Sequence, residues 1–555
     1  MRIVTSIAAL TAVLQLSACE NAPWSDRASA QVAAFDQPAA EAPPEKPAIP
    51  AAHRMSIQPL SEIADAIAAG EVTSEAMVAA YLDRIERMDR SGPTLQSVLA
   101  VNPDALEDAR RADAELAAGE RRGPLHGVPV LLKDNIETAD NMPTTAGALA
   151  LKDNYAGRDA PLAAGLREAG AIILGKANLS QWANFRSEES ISGWSALGGQ
   201  VRNPHILDRS PCGSSSGSGA AMAASLAAGT VGTETNGSII CPSSMNGVVG
   251  FKPTVGLVSQ TGIVPISSTQ DTAGPMTLTV RDAALMLDAM AEGEGHGFAA
   301  GLSDDALEGL RIGVLRFAEG DRPEVSARFD EALAVLSEAG AVLVDIEEWD
   351  EANETFWPDA FKVLKAEFRA TLNAYLASTG EGVETRTLAE VIAFNETVAD
   401  VELALFDQDI LEASEAEPDL SDEAYQNALA NVLSTTRENG IDQLLAEHDV
   451  AVLLAPSTAP AFLVDAVHGD QYPGGVGAGW MAAIAGYPHV SVPMGMARGL
   501  PVGLSFMGAK GDDAAVLSAG HAYEIRSERR VPPAFVATAR ARPEVKKAMS
   551  PYKAD

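Results

Sequence analysis

Two Gly/Ser-rich segments near the middle of the chain decide how the sequence is interpreted. The first reads Cys-Gly-Ser-Ser-Ser-Gly-Ser-Gly over residues 212–219, and the second reads Gly-Thr-Glu-Thr-Asn-Gly-Ser-Ile-Ile over residues 232–240. Periodic, Ala-rich sequence over 218–229 predicts a helix directly after Ser214, Ser215 and Ser216. A Gly/Ser loop that runs into a helix presents backbone N–H groups able to hold a developing oxyanion or an anionic ligand. The second segment supplies another serine, Ser238, which lies 24 residues after Ser214.

A third reactive side chain, Lys133, follows a short apolar run. Residues 127–132 and 171–174 have the composition of buried strands, so Lys133 is predicted to lie at a strand end. Residues 310–346 predict a strand, a helix and a strand, which is a parallel βαβ unit. Further strands are predicted at 450–454, 489–492 and 502–506, and a last helix at 513–526. We therefore expect one large α/β domain over 55–540, whose sheet can gather Lys133, Ser214 and Ser238.

The acidic region 350–448 shows few strand patterns and predicts a helical insertion or a lid over the sheet. Residues 541–555 are predicted to form a tail.

Two further motifs point to other enzyme classes but lack the context that those classes need. Residues 213–217 satisfy the G-x-S-x-G nucleophile elbow, yet the elbow requires a preceding strand and residues 202–211 are turn-like. Residues 170–176 match the first part of a P-loop, but Ala177 replaces the required Ser or Thr. The sequence therefore disfavours an α/β-hydrolase and a nucleotide-binding loop.

Taken together, the serine and lysine segments resemble the signature of the amidase signature family. The matching stretches are residues 212–219, 232–239 and 246–254, the lysine segment 127–135, and the C-terminal motifs Gly-Tyr-Pro at 486–488 and Leu-Pro-Val-Gly at 500–503. The resemblance spans most of the chain from about residue 57 to 530 and implies a mixed, twisted β-sheet flanked by helices on both faces. Residues 192–195 and 270–275 are most similar to the peptide amidase branch.

The resemblance also implies a role for each reactive residue. Ser238 is the expected nucleophile, and Ser214, preceded by a cis peptide bond, is expected to relay protons between Ser238 and Lys133. Lys133 can accept a proton only when neutral, and burial is the effect that lowers a lysine pKa enough. The oxyanion hole is expected to consist of the backbone N–H groups of four consecutive residues, Thr235, Asn236, Gly237 and Ser238, with Ser215 in a supporting position.

Three positions depart from the residues that are common in the family. Ser216 stands where many members have Gly, Asn236 where Gly or Asp is usual, and Ile240 where Arg commonly occurs. Because the triad residues are untouched, the reaction is expected to persist. The apolar Ile240 predicts a different hydrogen-bond network behind Ser215 and a more apolar wall near Ser238.

The N-terminal residues predict export. Arg2, an apolar run over 3–14 and Leu-Ser-Ala-Cys at 16–19 have the pattern of a lipoprotein signal peptide, with Cys19 as the lipidated residue and an ordinary signal peptide as the alternative. Residues 20–54 are rich in Ala, Pro and Glu and predict an extended tether. We therefore expect a protein on the periplasmic side of a membrane, anchored by lipid or else soluble.

Composition limits the partners. The 40 Lys and Arg against 76 Asp and Glu give a net charge of −36, which disfavours nucleic acid. The eight His show no metal-ligand spacing, so neither a metal nor a cofactor is expected. Besides Cys19 the cysteines are Cys212 and Cys241, which are expected to be buried free thiols, with a disulfide between them as the alternative.

The function that the sequence predicts is hydrolysis of carboxamides, namely C-terminal peptide amides or small aliphatic or aryl amides, through an acyl-enzyme on Ser238. An amidotransferase A-type subunit and a non-catalytic binding lipoprotein with the same fold are the alternatives. The oligomeric state and the individual substrate stay open.

Overall fold

A computed structural model describes residues 49–293, 295–349 and 354–551. The predicted signal peptide and lipobox, and residues 20–48 of the predicted tether, lie outside the described residues. The last tether residues are helical, because the first helix occupies Ala51–Met55. From Ile49 onward the chain forms one compact unit.

The centre of the fold is a mixed sheet of eleven strands in the order β1-β3-β2-β6-β8-β7-β12-β13-β11-β9-β10, and β4 and β5 form a separate two-stranded ribbon. The strands are β1 Val98–Val101, β2 Pro129–Lys133, β3 Ile172–Ala177, β4 Trp194–Ser195, β5 Gly199–Gln200, β6 Gly229–Glu234, β7 Val249–Lys252, β8 Thr272–Thr277, β9 Arg311–Leu315, β10 Val342–Ile346, β11 Val452–Pro456, β12 His489–Ala497 and β13 Leu500–Met507.

Helices flank the sheet, and their apolar residues join its side chains in one large core. They are α1 Ala51–Met55, α2 Leu60–Ala68, α3 Ser74–Arg84, α4 Ala105–Ala117, α5 Pro161–Glu168, α6 Ser216–Ala223, α7 Ile240–Asn246, α8 Val280–Met290, α9 Pro323–Glu338, α10 Phe356–Ala377, α11 Leu388–Thr397, α12 Ala399–Glu402, α13 Asp409–Glu415, α14 Glu423–Thr436, α15 Asp442–Glu447, α16 Gly479–Ala485, α17 Asp513–Ser527 and α18 Pro543–Ala548. Within the described part of the chain, no helix is both long and apolar enough to span a membrane.

The predicted fold class is confirmed, and the order of pairing explains how the site forms. β2 pairs in parallel with both β3 and β6, so the carboxyl ends of these three strands meet at one edge of the sheet. The predicted βαβ unit is also present, since β9 and β10 are parallel and α9 connects them. Lys133 is the last residue of β2, as its apolar run predicted.

Two details differ from the sequence-based expectation. The helix after the serine cluster ends at Ala223 instead of continuing to 229, and a buried strand, β6, begins at Gly229. β6 reads Gly-Thr-Val-Gly-Thr-Glu, which has too few apolar residues to produce a strand pattern, although every residue in it is buried.

The predicted insertion, residues 350–448, is helical through its described part, with α10 as its longest element. This region packs against the rest of the fold as a permanent layer. Phe368 and Leu372 on α10 pack with Trp182, Phe185 and Ile266 of the central unit in one buried cluster.

Buried polar contacts strengthen the attachment of this helical layer. Glu367 of α10 accepts a hydrogen bond from the Thr269 backbone N–H, outside the layer, at 3.2 Å, and one from Tyr425 Oη, within the layer, at 2.7 Å. Arg186 and Glu402, both fully buried, form an ion pair at 3.3 Å.

Candidate active site

The loops that carry the predicted triad meet at the carboxyl ends of β2 and β6. Lys133 Nζ lies 2.8 Å from Ser214 Oγ, and the peptide bond between Gly213 and Ser214 is cis, as the resemblance implied. Ser238 lies in the short loop between β6 and α7. The Ser215 backbone N–H donates to the Ser238 carbonyl at 3.2 Å, which holds the two serine loops together.

Lys133 sits in a site that suits a neutral amine. It is fully buried, and besides Ser214 its Nζ contacts Thr233 Oγ1 at 2.8 Å and the Thr233 carbonyl at 3.2 Å. A neutral amine has two N–H donors and one lone pair. Thr233 can accept both donors, so the lone pair is free to accept the Ser214 hydroxyl proton.

Electrostatics favour the same protonation state. Burial lowers the pKa of Lys133 to about 7, against the opposing effect of the Asp271 and Glu234 carboxylates. Burial also raises the pKa of Asp271 to about 6, so this carboxylate loses its charge only below the pH at which Lys133 titrates. A substantial fraction of Lys133 is therefore neutral near pH 7.

Ser215 and Thr233 form a second link behind the triad. Ser215 Oγ donates to the Thr233 carbonyl at 3.0 Å and accepts from the Thr233 backbone N–H at 3.1 Å. Thr233 therefore positions both the lysine and the serine loop. The network behind Ser215 is complete without an arginine at position 240.

The four predicted oxyanion-hole residues, Thr235–Ser238, form the loop that joins β6 to α7. Within the described residues, none of their four backbone N–H groups donates to another protein atom. Gly237 takes a φ of +79°, a conformation that disfavours residues with a Cβ, and this turns the chain sharply before Ser238. N–H groups without a protein acceptor are available to donate hydrogen bonds to a ligand.

Glu234 fixes the far end of that loop. Its Oε2 accepts hydrogen bonds from the Ile239 and Ile240 backbone N–H groups at 2.7 and 3.0 Å. Its Oε1 is buried and has no hydrogen-bond partner among the described residues. Because α7 begins at Ile240, this contact caps the helix that follows the nucleophile.

The expectation of free thiols was wrong, because Cys212 and Cys241 form a disulfide with a Cα–Cα distance of 5.9 Å. Cys212 precedes Ser214 by two residues and Cys241 follows Ser238 by three, so the bond joins the two serine loops. The sequence could not show that the loops approach closely enough for a bond.

A cavity of about 840 Å³ opens beside these loops. Gly213, Asn236 and Gly237 line it at the triad end, and Ile240 contributes an apolar surface there. The lining residues with aromatic side chains, here called the aromatic wall, are Phe317, Trp349, Phe361, Tyr472 and Trp480. The helical layer thus contributes directly to the cavity through Phe361.

Sequence reasoning missed four residues that shape the site. Thr233, Glu234 and Asn135 lie inside motifs that were recognised, but only the structure shows that Asn135 donates to Thr233 Oγ1 at 3.0 Å. Asp271 lies within the 270–275 motif, where its side chain accepts from Thr235 Oγ1 at 2.6 Å. A single sequence contains no pattern that distinguishes polar residues with such buried contacts from polar residues that are exposed to solvent.

The fold and the buried contact between Lys133 and Ser214 suit a hydrolase that acts on carbon–nitrogen bonds, and the comparisons with known proteins support that class. The amidase family model matches residues 76–517, and the chain belongs to the amidase signature family. The structure of native peptide amidase from Stenotrophomonas maltophilia is similar, with 43% identity, a TM-score of 0.81 and coverage of 86% of this chain and 98% of that one.

Two further relatives mark the breadth of the family. A probable amidase from Arabidopsis thaliana is 37% identical over 84% of this chain and 89% of its own length. The A-type subunit of the glutamyl-tRNA(Gln) amidotransferase from Halorhodospira halophila is 34% identical over 86% of this chain and 99% of its own.

Proposed function

We propose that this protein hydrolyses carboxamides, either C-terminal peptide amides or small aliphatic or aryl amides, to an acid and ammonia or an amine. The observation that carries the proposal is the 2.8 Å contact between buried Lys133 and Ser214, held against the Ser238 loop. Ser238 attacks the carbonyl carbon while its proton passes through Ser214 to Lys133. A hydroxyl needs such a base to become a useful nucleophile.

The remaining steps use groups already in place. The N–H groups of residues 235–238 hold the oxyanion of the tetrahedral intermediate, a contribution of about 3–4 kcal/mol per donor in other acyl-transfer sites. The proton on Lys133 returns through Ser214 to the leaving nitrogen as the C–N bond breaks. Water then attacks the acyl carbonyl while its proton passes through Ser214 to Lys133, and that proton returns through Ser214 to Ser238 Oγ as the ester bond breaks and the acid leaves.

The amidotransferase alternative is supported by the similarity to the Halorhodospira halophila protein. A net charge of −36 opposes tRNA binding, because nucleic acid affinity depends on neutralising phosphates with basic residues. Turnover of simple amides by the isolated chain, without tRNA or partner proteins, is what the amidase proposal requires.

We further propose that the protein is exported and held at a membrane by lipid on Cys19. The Leu-Ser-Ala-Cys motif at 16–19 supports this, and the Cys212–Cys241 disulfide suits an oxidising compartment. Incorporation of a labelled fatty acid into the wild type but not into Cys19→Ser is expected. Equal labelling of both would refute the anchor.

The function is tested with the full-length chain by measuring ammonia or amine release from acetylated dipeptide amides, an aliphatic amide and an anilide. We expect release that Ser238→Ala abolishes and that Ser218→Ala retains. Ser218 is a matched control, since it is a buried serine of the same motif whose hydroxyl donates to the Val231 carbonyl at 3.0 Å, away from the triad. No release from any amide, together with no phosphonate labelling of Ser238, would favour the binding lipoprotein instead.

A further inference from the structure

The cavity beside Ser238 has an uneven distribution of charge. Three carboxylates line it, from Glu188, Glu234 and Asp470, whereas the described lining residues include no lysine or arginine. Its one histidine, His489, contributes no positive charge, because burial lowers the His489 pKa to about 3. The cavity therefore carries a negative potential.

These carboxylates differ in their cationic neighbours: Glu234 interacts electrostatically with the buried Lys133 and Lys252, whereas among the described residues no cation contributes to the electrostatics of Asp470. Among the described residues, none of the three forms a salt bridge. Asp470 accepts the Ser192 backbone N–H, at 3.1 Å to each carboxylate oxygen. Burial raises the pKa of Asp470, since no cationic side chain lies close enough to offset its lost hydration.

Two residues of the cavity lining carry buried polar atoms without a hydrogen-bond partner among the described residues. Within the described part of the chain, Glu234 is 1% exposed and its Oε1 lacks a partner, and His489 is fully buried with an unpartnered Nδ1. Buried polar atoms in proteins almost always have hydrogen-bond partners. Both residues line the cavity, so a polar ligand there can supply what the protein does not.

The aromatic wall complements the carboxylates. Trp349 lies 5.8 Å from Trp480 and 6.3 Å from Phe317, measured between ring centroids. The faces of such rings attract cations and also bury apolar groups. A ligand that combines a cationic group with an apolar side chain fits this lining.

Asp470 lies close to the catalytic loop. The Ser192 residue that it binds packs against Gly213, because a Cβ placed at Gly213 would lie 3.3 Å from Ser192 Oγ. Gly213 is followed directly by Ser214. Asp470 and Gly213 line the same cavity, so a ligand held by Asp470 can extend to the Ser214 loop.

We propose that the cavity selects carboxamides that carry an ammonium group, such as amides of peptides with a free amino terminus, and that Asp470 binds this group. Anionic amides are rejected. The proposal rests on the proposed amidase function and names the substrate class of the same site.

The test compares three forms of one dipeptide amide, alanyl-phenylalanine amide with a free, an acetylated or a succinylated amino terminus. These are cationic, neutral and anionic with the same scissile bond. For the wild type we expect kcat/KM to fall in that order, by about tenfold or more from the cationic to the anionic form. Asp470→Asn is expected to bring the ratio of kcat/KM between the cationic and the neutral form down to about one.

Asp465→Asn is the matched control. It removes the same charge from the same loop, but Asp465 does not line the cavity and instead binds His468 Nδ1 at 2.9 Å. It should leave the cationic-to-neutral ratio within about twofold of the wild type. If both variants lose the preference for the cationic amide equally, the net negative charge of the protein would account for selectivity. That result would overturn the role of Asp470.

Failure of the proposal is distinguishable from failure of the function. Equal turnover of the three forms, or preference for the succinylated one, would overturn the proposal while leaving the amidase function intact. If no form is turned over, calorimetric binding of the same peptides to Ser238→Ala decides, and equal affinities would overturn the proposal.

Discussion

Replacing Thr233 with valine tests whether Lys133 is the base that controls the rate. Valine keeps the shape of threonine but removes the Oγ1 that lies 2.8 Å from Lys133 Nζ. A hydrogen bond to a charged group contributes about 1.5–3 kcal/mol, and one between neutral groups about 0.5–1.5 kcal/mol. The lost bond thus stabilises the protonated amine by about 1 kcal/mol more than the neutral amine.

That difference fixes the sign and size of the effect. Since one pKa unit corresponds to about 1.4 kcal/mol, the pKa of Lys133 in Thr233→Val falls by about 0.7–1 unit from its value of about 7. The base works only when deprotonated, so activity is lost as pH falls through this pKa. The acid limb therefore moves to lower pH, and at pH 6 the variant keeps about a third to a half of its own plateau activity while the wild type keeps about a tenth.

The assay is the pH dependence of kcat/KM for an acetylated peptide amide, which does not titrate in the range and so reports the free enzyme. Thr230→Val is the control, because Thr230 is a buried threonine of the same strand whose Oγ1 bonds the Ser218 and Met276 carbonyls at 3.1 Å. The control should lose stability without moving the limb. An acid limb in Thr233→Val that stays in place, or moves to higher pH, would refute the assignment of this pKa to Lys133.

Two further predictions concern the serine loops. Opening the Cys212–Cys241 disulfide, which closes a loop of 29 residues, should lower the free energy of unfolding by about 3–4 kcal/mol. Urea unfolding with and without reductant measures this, and equal midpoints would contradict the bond. Gly237→Ala should lower kcat by about 10–100-fold with little change in KM, because a Cβ at φ +79° forces the oxyanion-hole loop to shift. Gly511→Ala, at φ +88° and likewise without steric contacts, should strain the backbone without lowering kcat, and an equal loss in both variants would argue against the oxyanion role.

The parts of the fold that the sequence predicted are those with strong apolar patterns. The apolar runs before Lys133 and at 171–174 were correctly predicted to be strands, because a strand that is buried on both faces requires continuous apolar residues. β6 was missed for the opposite reason. Its glycines and threonines are buried by close contact with neighbouring loops, as at Gly232, where an added Cβ would lie 2.8 Å from Ser215 Oγ.

The triad could be named only through the resemblance. Lys133, Lys176 and Lys252 are all fully buried at or near strand ends, and burial lowers the pKa of each. Only the first contacts a serine, whereas Lys176 donates to Thr144 Oγ1 at 2.8 Å and Lys252 to the Pro253 carbonyl at 3.1 Å. The apolar pattern of the sequence predicts the same position, at or near a strand end, for all three lysines. Their tertiary contacts are what distinguish Lys133 from the other two.

The contacts between Lys133 and Thr233 follow from the parallel pairing of β2 with β6. In this register Leu132 lies opposite Val231, so the two strands end side by side and Lys133 reaches Thr233 across the gap. The same strand end leads directly into the oxyanion-hole loop and then into Cys241. The end of β6 therefore positions Lys133, the Ser215 loop and the Ser238 loop relative to one another. A change that shifts β6 should thus alter the pH limb and kcat together, whereas a change at Gly237 should lower kcat and leave the pH limb in place.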